Sequence, residues 1–193
     1  MKIIGVGCGP GMLTEQAIRE VSRATLIFGS DRAIKLATPY IPANCVVRTI
    51  DDFKNLSSIG GDAVILSTGD PMLAGLGYLS GEVIPGISSL QVAMARLHIP
   101  VSRVSVVVAH GKGHKKGIAD TIEEVKRGKI VFFLADPKFD VKELYAELSA
   151  LPTKISIALC ENLGYPEERI LTRDVVSPPQ PTEALYSLVI GNF

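Results

Sequence analysis

An apolar run that meets four turn-formers in quick succession and then turns helical leaves few folds open, and IIGVGCGPGMLT, from Ile3 to Thr14, does this near the start of the chain. Lys2 to Val6 is too short for a helix and is bounded by glycine, so it reads as a buried strand. Gly7, Gly9, Pro10 and Gly11 break it. Leu13, Ala17, Ile18, Val21 and Ala24 then recur at helical spacing, behind Thr14 as an N-cap and Glu15 in the first turn, where an acid suits the helix dipole. The unit is strand, loop, helix, and its loop leaves backbone N–H groups free to meet a ligand.

The same rhythm continues. Thr25 to Gly29 is a second strand, Ser30 caps a helix carrying Ala33, Ile34 and Ala37, and Pro39 ends it. Cys45 to Thr49 is a third strand, followed by a polar helix from about Asp51 to Ser58. Asp62 to Ser67 is a strand that runs into TGDP at Thr68 to Pro71, and Met72, Leu73, Leu76 and Leu79 suggest a helix weakened by Gly75 and Gly77. Glu82 to Ile84 is a short strand, Pro85 to Ser89 (PGISS) a third turn, and Leu90 to His98 a helix. Repeated strand, turn, helix units imply a mainly parallel sheet with ligands beyond its carboxyl ends, where all three glycine turns fall.

Near Pro100 to Arg103 the pattern restarts. A strand over Val104 to Ala109 leads to a basic loop, His110 to Lys116. Then come a helix from about Ile118 to Arg127, a strand over Lys129 to Leu134, a helix over Val141 to Leu151 and a strand over Lys154 to Leu159. Glu168 to Thr172 and Ser187 to Gly191 read as short β segments, with the Pro-rich turn SPPQP at Ser177 to Pro181 before the last. The expectation is an α/β chain of two lobes, 1–102 and 103–193.

With 20 basic and 20 acidic side chains, no net field draws the chain to nucleic acid or to an anionic membrane. No run approaches a membrane span. Cys8, Cys45 and Cys160 are scattered, with no CxxC pair and no metal-ligand spacing, as suits thiols in a reducing, cytoplasmic setting.

Three loop types compete for GVGCGPG. A dinucleotide loop requires G-x-G-x-x-G, and the third glycine position holds Pro10 or Met12 in the two available registers. The acid expected about 20 residues on is also missing from the end of the second strand, where Asp31 is as suited to a helix cap. In the common Rossmann-like methyltransferases an acid normally stands two places before the first glycine, where Gly5 stands here. The third type fits more of the chain: GVGCGPGMLT at Gly5 to Thr14, STGDP at Ser67 to Pro71, IPGISS at Ile84 to Ser89 and CENLGYPEERI at Cys160 to Ile170 follow in order. Together they resemble the tetrapyrrole (corrin and porphyrin) methylase family, most of all its branch acting on carbon 5 of cobalt-precorrin-7.

That resemblance implies a homodimer of two-lobed subunits, with S-adenosylmethionine in a cleft between the lobes and a tetrapyrrole, here a cobalt-precorrin, in a trough formed largely by the first. It implies cofactor contacts at Pro10, Gly69, Asp70, Leu73, Ser88, Ser89, Leu134 and Thr182, and a partner enzyme that decarboxylates the precorrin and methylates carbon 15. Pro10 also faces the trough in this reading. A precorrin carries many carboxylates and needs local cations, for which Arg32 and Lys35 form one candidate set and His110, Lys112, His114, Lys115 and Lys116 another. Glu161 and Glu167 read as stabilising the second lobe. No acid, base or nucleophile stands out as catalytic, and no residue as a metal ligand. The alternatives are a diphthamide-pathway or ribosomal-RNA methyltransferase of the same fold, an NAD-dependent oxidoreductase, and a noncatalytic nucleotide-sensing module.

Overall fold

Lys2–Gly5 forms strand β1, and Ile3 and Ile4 are completely buried, because β1 is flanked on both edges and both faces. It pairs in parallel with β4 (Val64–Ser67) on one side and β5 (Glu82–Ile84) on the other. With β2 (Leu26–Gly29) and β3 (Val46–Thr49) the order is β3-β2-β4-β1-β5, every pair parallel. The uninterrupted apolar runs of β1 and β4 are what a doubly covered parallel sheet demands. The computed structural model from which this comes describes residues 1–50, 56, 61–110 and 113–193.

Local capping explains the first two helices. In α1 (Glu15–Val21) the Thr14 hydroxyl accepts from the Ala17 N–H at 3.1 Å, and in α2 (Asp31–Ala37) the Ser30 hydroxyl accepts from the Ala33 N–H at 3.3 Å. The polar helix expected over Asp51 to Ser58 lies outside the described residues, save for Leu56, which is buried in the core of this unit.

The helix expected at Met72 to Leu79 is not there, and the segment is a series of turns. A Cβ on Gly75 would lie 2.6 Å from the Ser67 hydroxyl, and one on Gly77 2.8 Å from the Pro71 carbonyl oxygen, so both glycines serve close backbone approach. The Gly77 N–H donates to the Pro71 carbonyl at 2.9 Å and the Leu76 N–H to the Ser67 hydroxyl at 3.4 Å. Leu76 and Leu79 reach the core from these turns.

Backbone contacts divide the chain into Met1–Ser89 and Leu90–Phe193, earlier than the step read at 102/103. Helix α3 (Ser89–Leu97) therefore falls almost wholly in the second unit, where Arg96 Nε donates to Glu168 Oε1 at 2.6 Å. That unit holds a mixed sheet of order β6-β7-β10-β8-β9, built from Val104–Ala109, Ile130–Ala135, Tyr186–Gly191, Ser156–Glu161 and Arg169–Asp174 respectively. β6 and β7 run parallel, and the other neighbours are antiparallel. Helices α4 (His114–Lys126) and α5 (Val141–Ser149) bury Ile118, Val125, Leu144, Tyr145 and Leu148 with Phe133, Leu188, Ile190 and Leu159 of the sheet.

Helix α4 starts earlier than expected from about Ile118, because its first turn, His114, Lys115 and Lys116, is polar and shows no apolar period. Gly117 lets it press on β6, since a Cβ there would stand 2.4 Å from the Ala109 Cβ. Gly117→Ala should therefore destabilise the protein. Alanine's helix preference is worth about 1 kcal/mol over glycine, and overpacking a tight contact costs about 1 to 3 kcal/mol. A lowered urea midpoint at unchanged slope is the expected reading, and a raised midpoint would show that the contact yields.

Candidate functional site

Neighbouring strands β4, β1 and β5 end in the three glycine turns, so sheet order alone gathers turns far apart in sequence. The first two turns are hydrogen-bonded as a short antiparallel bridge, the Gly69 N–H to the Gly7 carbonyl at 2.8 Å and the Gly7 N–H to the Gly69 carbonyl at 3.2 Å. Gly7 and Gly69 make it with φ of 78° and 67°, in the left-handed region open to glycine. The third turn closes on both: a Cβ on Gly86 would lie 2.2 Å from the Gly69 carbonyl oxygen, and one on Gly5 2.5 Å from the Gly86 nitrogen.

Asp70 binds the second turn to the third. Its Oδ1 accepts from the Met72 N–H at 2.8 Å and its Oδ2 from the Gly86 N–H at 3.0 Å. It therefore caps no helix but closes a turn over two residues and tethers PGISS. Leu73 donates its N–H to the Asp70 carbonyl at 3.1 Å, and buried Ser88 brings its Cα to 3.8 Å from where a Gly69 Cβ would be. Gly69, Asp70, Leu73 and Ser88 are thus assembled on one edge of the first unit, with half-buried Ser89 beside them at the start of α3. Pro10 and Gly11 form the exposed tip of the first turn, and around Gly11 nothing lies within contact of an added Cβ.

The chemistry of these turns is neutral to acidic. GVGCGPGMLT, TGDP and PGISS hold no Lys, Arg or His. The helix behind the first turn has its leading N–H capped by Thr14 and Glu15 in its first turn. A ligand here meets bare backbone and one carboxylate, with no side-chain cation in the three turns. Among the described residues no cluster of His, Cys, Asp and Glu could hold a metal ion.

The basic residues are more dispersed than the sequence suggested. Half-buried Arg32 and exposed Lys35 lie on α2, behind the carboxyl end of β2. His110 is exposed after β6, and Lys112 lies outside the described residues. His114 and Lys116 are engaged: His114 Nε2 is 2.9 Å from Asp136 Oδ2, with its ring edge-on to Phe139, and Lys116 pairs with Asp120 at 2.5 Å.

In the second unit Leu134 sits half-exposed near the end of β7, and Thr182 lies before β10. Thr182 has a partner that the sequence reading did not give it, the buried carboxylate of Glu161 at the end of β8. Burial would lift the Glu161 carboxyl, but the N–H groups of Thr182 and Glu183 and the Arg169 guanidinium outweigh it and hold it below the ordinary 4.5. Glu168 behaves alike: burial is outweighed by Arg96 and the Gly164 N–H, and its value also falls below 4.5.

A parallel sheet that gathers three glycine turns at its carboxyl edge, joined to a mixed-sheet unit, defines a two-unit α/β protein with a backbone-lined ligand site. The model of the tetrapyrrole (corrin/porphyrin) methylases matches residues 2–176. A Methanocaldococcus jannaschii protein described as a probable cobalt-precorrin-7 C(5)-methyltransferase is 33% identical over 184 residues, 86% of this chain and 85% of its own. The solved structure of the cobalamin-biosynthesis precorrin-6Y methylase from Archaeoglobus fulgidus is 31% identical at a TM-score of 0.76, covering 98% of this chain and 95% of that one. A uroporphyrin-III C-methyltransferase from Thermus thermophilus, solved with S-adenosylhomocysteine, shares the fold at 19% identity and a TM-score of 0.70, over 98% of this chain and 96% of its own. The chain belongs to the tetrapyrrole methylase family.

Because the folded values of Glu161 and Glu168 lie below the unfolded ones, the stability they supply is complete above about pH 4.5 and drains as the pH falls through the folded values. The urea midpoint of the wild-type protein should drop below that pH, and that of Glu161→Gln should drop less steeply. Parallel curves would remove Glu161 from the acid response.

Proposed function

We propose that this protein is an S-adenosylmethionine-dependent C-methyltransferase acting on carbon 5 of a cobalt-precorrin in cobalamin biosynthesis. The observation that carries the reading is the interlocked set of three glycine turns at the carboxyl edge of one sheet, a surface of bare backbone and one carboxylate that suits a sulfonium cofactor, in a chain whose first loop lacks the third glycine of a dinucleotide fingerprint. The identity to the Methanocaldococcus and Archaeoglobus proteins supports the substrate class, and the Thermus structure with S-adenosylhomocysteine supports the cofactor.

Bound here, S-adenosylmethionine would supply a methyl group carried on a positively charged sulfur, for transfer to an electron-rich ring carbon. The protein's work is to align the two centres and exclude water, so no nucleophilic side chain is required. In this reading Pro10, Gly69, Asp70, Leu73, Ser88, Ser89, Leu134 and Thr182 are the residues that serve the cofactor. Arg32 and Lys35 are the cations offered to the carboxylates of the ring, with the His110 imidazole as a further hydrogen-bonding group, and Pro10 also borders the ring. A separate enzyme that decarboxylates the precorrin and methylates carbon 15 would act alongside.

Calorimetry with S-adenosylhomocysteine and NAD, each alone, decides the class. Uptake of the first and not the second is expected, and tight NAD binding without it would overturn the proposal. Asp70→Ala should weaken that uptake about tenfold or more through loss of its two N–H contacts, and unchanged affinity would remove Asp70 from the site.

The assembly we propose is a homodimer. Its support is β6, an edge strand in the described sheet, six residues long and without a charge, with Val106 and Val108 exposed. Native edges are normally blunted by charge, proline or brevity. Val106→Lys with Val108→Lys should shift sedimentation from dimer to monomer, and a dimer that survives the change must be held by another face.

A further inference from the structure

Glu161 ends β8 with its side chain wholly removed from solvent, yet it is charged and fully engaged. Its Oε1 accepts from the Thr182 N–H at 2.6 Å and the Glu183 N–H at 3.0 Å. Its Oε2 accepts from Arg169 Nε at 2.7 Å, and Arg169 Nη2 stands 2.5 Å from the same oxygen as an ion pair. Arg169 Nη2 also donates to the Thr182 hydroxyl at 2.9 Å, which leaves that hydroxyl to donate its own proton to Glu161, 3.3 Å away.

The stretch so held has no regular structure between β9 and β10. Its other ties are at the far side of the Pro-rich turn, where the Val176 and Ser177 N–H groups meet Asp174 and the Tyr145 hydroxyl donates to the Pro179 carbonyl at 2.7 Å. Burying a carboxylate and its guanidinium partner is a poor way to gain stability, since apolar packing of equal volume does as well or better. What the ionic clasp adds is direction: two successive N–H groups and one hydroxyl converge on a single carboxylate, which fixes the peptide planes on either side of Thr182. Thr182 itself stays exposed.

We infer that Glu161 and Arg169 are a positioning pair that sets Thr182 for the cofactor. This rests on the cofactor reading given above. It also narrows what Thr182 does there. With its N–H and hydroxyl spent on Glu161 and Arg169, it offers a ligand its carbonyl oxygen and its methyl group. The ligand portion it meets is a hydrogen-bond donor with an apolar flank, such as the amino edge of a flat heterocycle, and not a carboxylate or phosphate.

The test compares wild type, Glu161→Gln and Arg169→Lys for S-adenosylhomocysteine affinity by calorimetry, for KM and kcat in methyl transfer from S-adenosylmethionine, and for melting temperature. Glutamine turns an NH2 toward existing donors, and lysine loses the two-pronged contact. Both should raise Kd and the KM for S-adenosylmethionine by about tenfold while kcat stays within about threefold, the split expected when binding rather than the transition state is disturbed. Asp140→Ala removes the cap of α5, where Asp140 accepts from the Lys142 N–H at 2.9 Å, and serves as the control. It should lower the melting temperature and leave Kd alone. If Glu161→Gln does not fold, Arg169→Lys carries the decision. Variants that melt early but bind as tightly as wild type would overturn the inference and leave the cofactor reading standing. A wild-type protein that takes up no S-adenosylhomocysteine would overturn both.

Discussion

The first unit depends on backbone meeting backbone where three strands end. With a Cβ on Gly86 only 2.2 Å from the Gly69 carbonyl oxygen and one on Gly5 only 2.5 Å from the Gly86 nitrogen, any side chain at either place would force the turns apart. The bridge between Gly7 and Gly69 would then break, and with it the contact through which Asp70 holds Gly86. The tight turns that follow Pro71 bring Leu76 and Leu79 into the core of the same unit. The cost is entropic, since each glycine is freer in the unfolded chain than any other residue. The gain is a surface made of backbone, which stays in place because no rotamer can move it.

The second unit reaches rigidity by the opposite means. Its sheet is antiparallel apart from β6 and β7, and strand β9 at its edge is mostly exposed, with the arginines and aspartate that keep such an edge from pairing further. Against that background two buried or half-buried carboxylates, Glu161 and Glu168, act as hubs. Glu168 gathers α3 and the loop at Gly164, and Glu161 gathers the start of β9 and the approach to β10. One unit is fixed by what its glycines lack, and the other by charges whose donors are complete.

What could be read from the sequence was whatever local chemistry decides. The caps at Thr14 and Ser30, the glycine turns, and most strands are properties of a few adjacent residues, and they stand where expected. Met72 to Leu79 was misread because Leu76 and Leu79 must reach the core however the backbone runs, so their spacing looks helical while Gly75 and Gly77 serve contacts with Pro71 and Ser67. The start of α4 was missed because a polar first turn has no apolar period. Glu161 reads from sequence only as stabilising the second lobe, because its partners Arg169, Thr182 and Glu183 are brought to it by the pairing of β8 with β9 and β10. Glutamate at the end of the apolar strand SIALCE was the one signal on offer.

The chemistry asked of three such turns differs between reactions. Hydrolysis or hydride transfer draws on placed acids or bases. A displacement at a sulfonium methyl asks for less, because the leaving group departs neutral and the attacking electrons come from the acceptor carbon. Alignment and dryness then carry the rate, and geometry held by backbone contacts is the means best suited to both. The same geometry says where this chain tolerates no side chain: a Cβ at 5 or 86 meets backbone directly, and Gly69 sits at a φ of 67°.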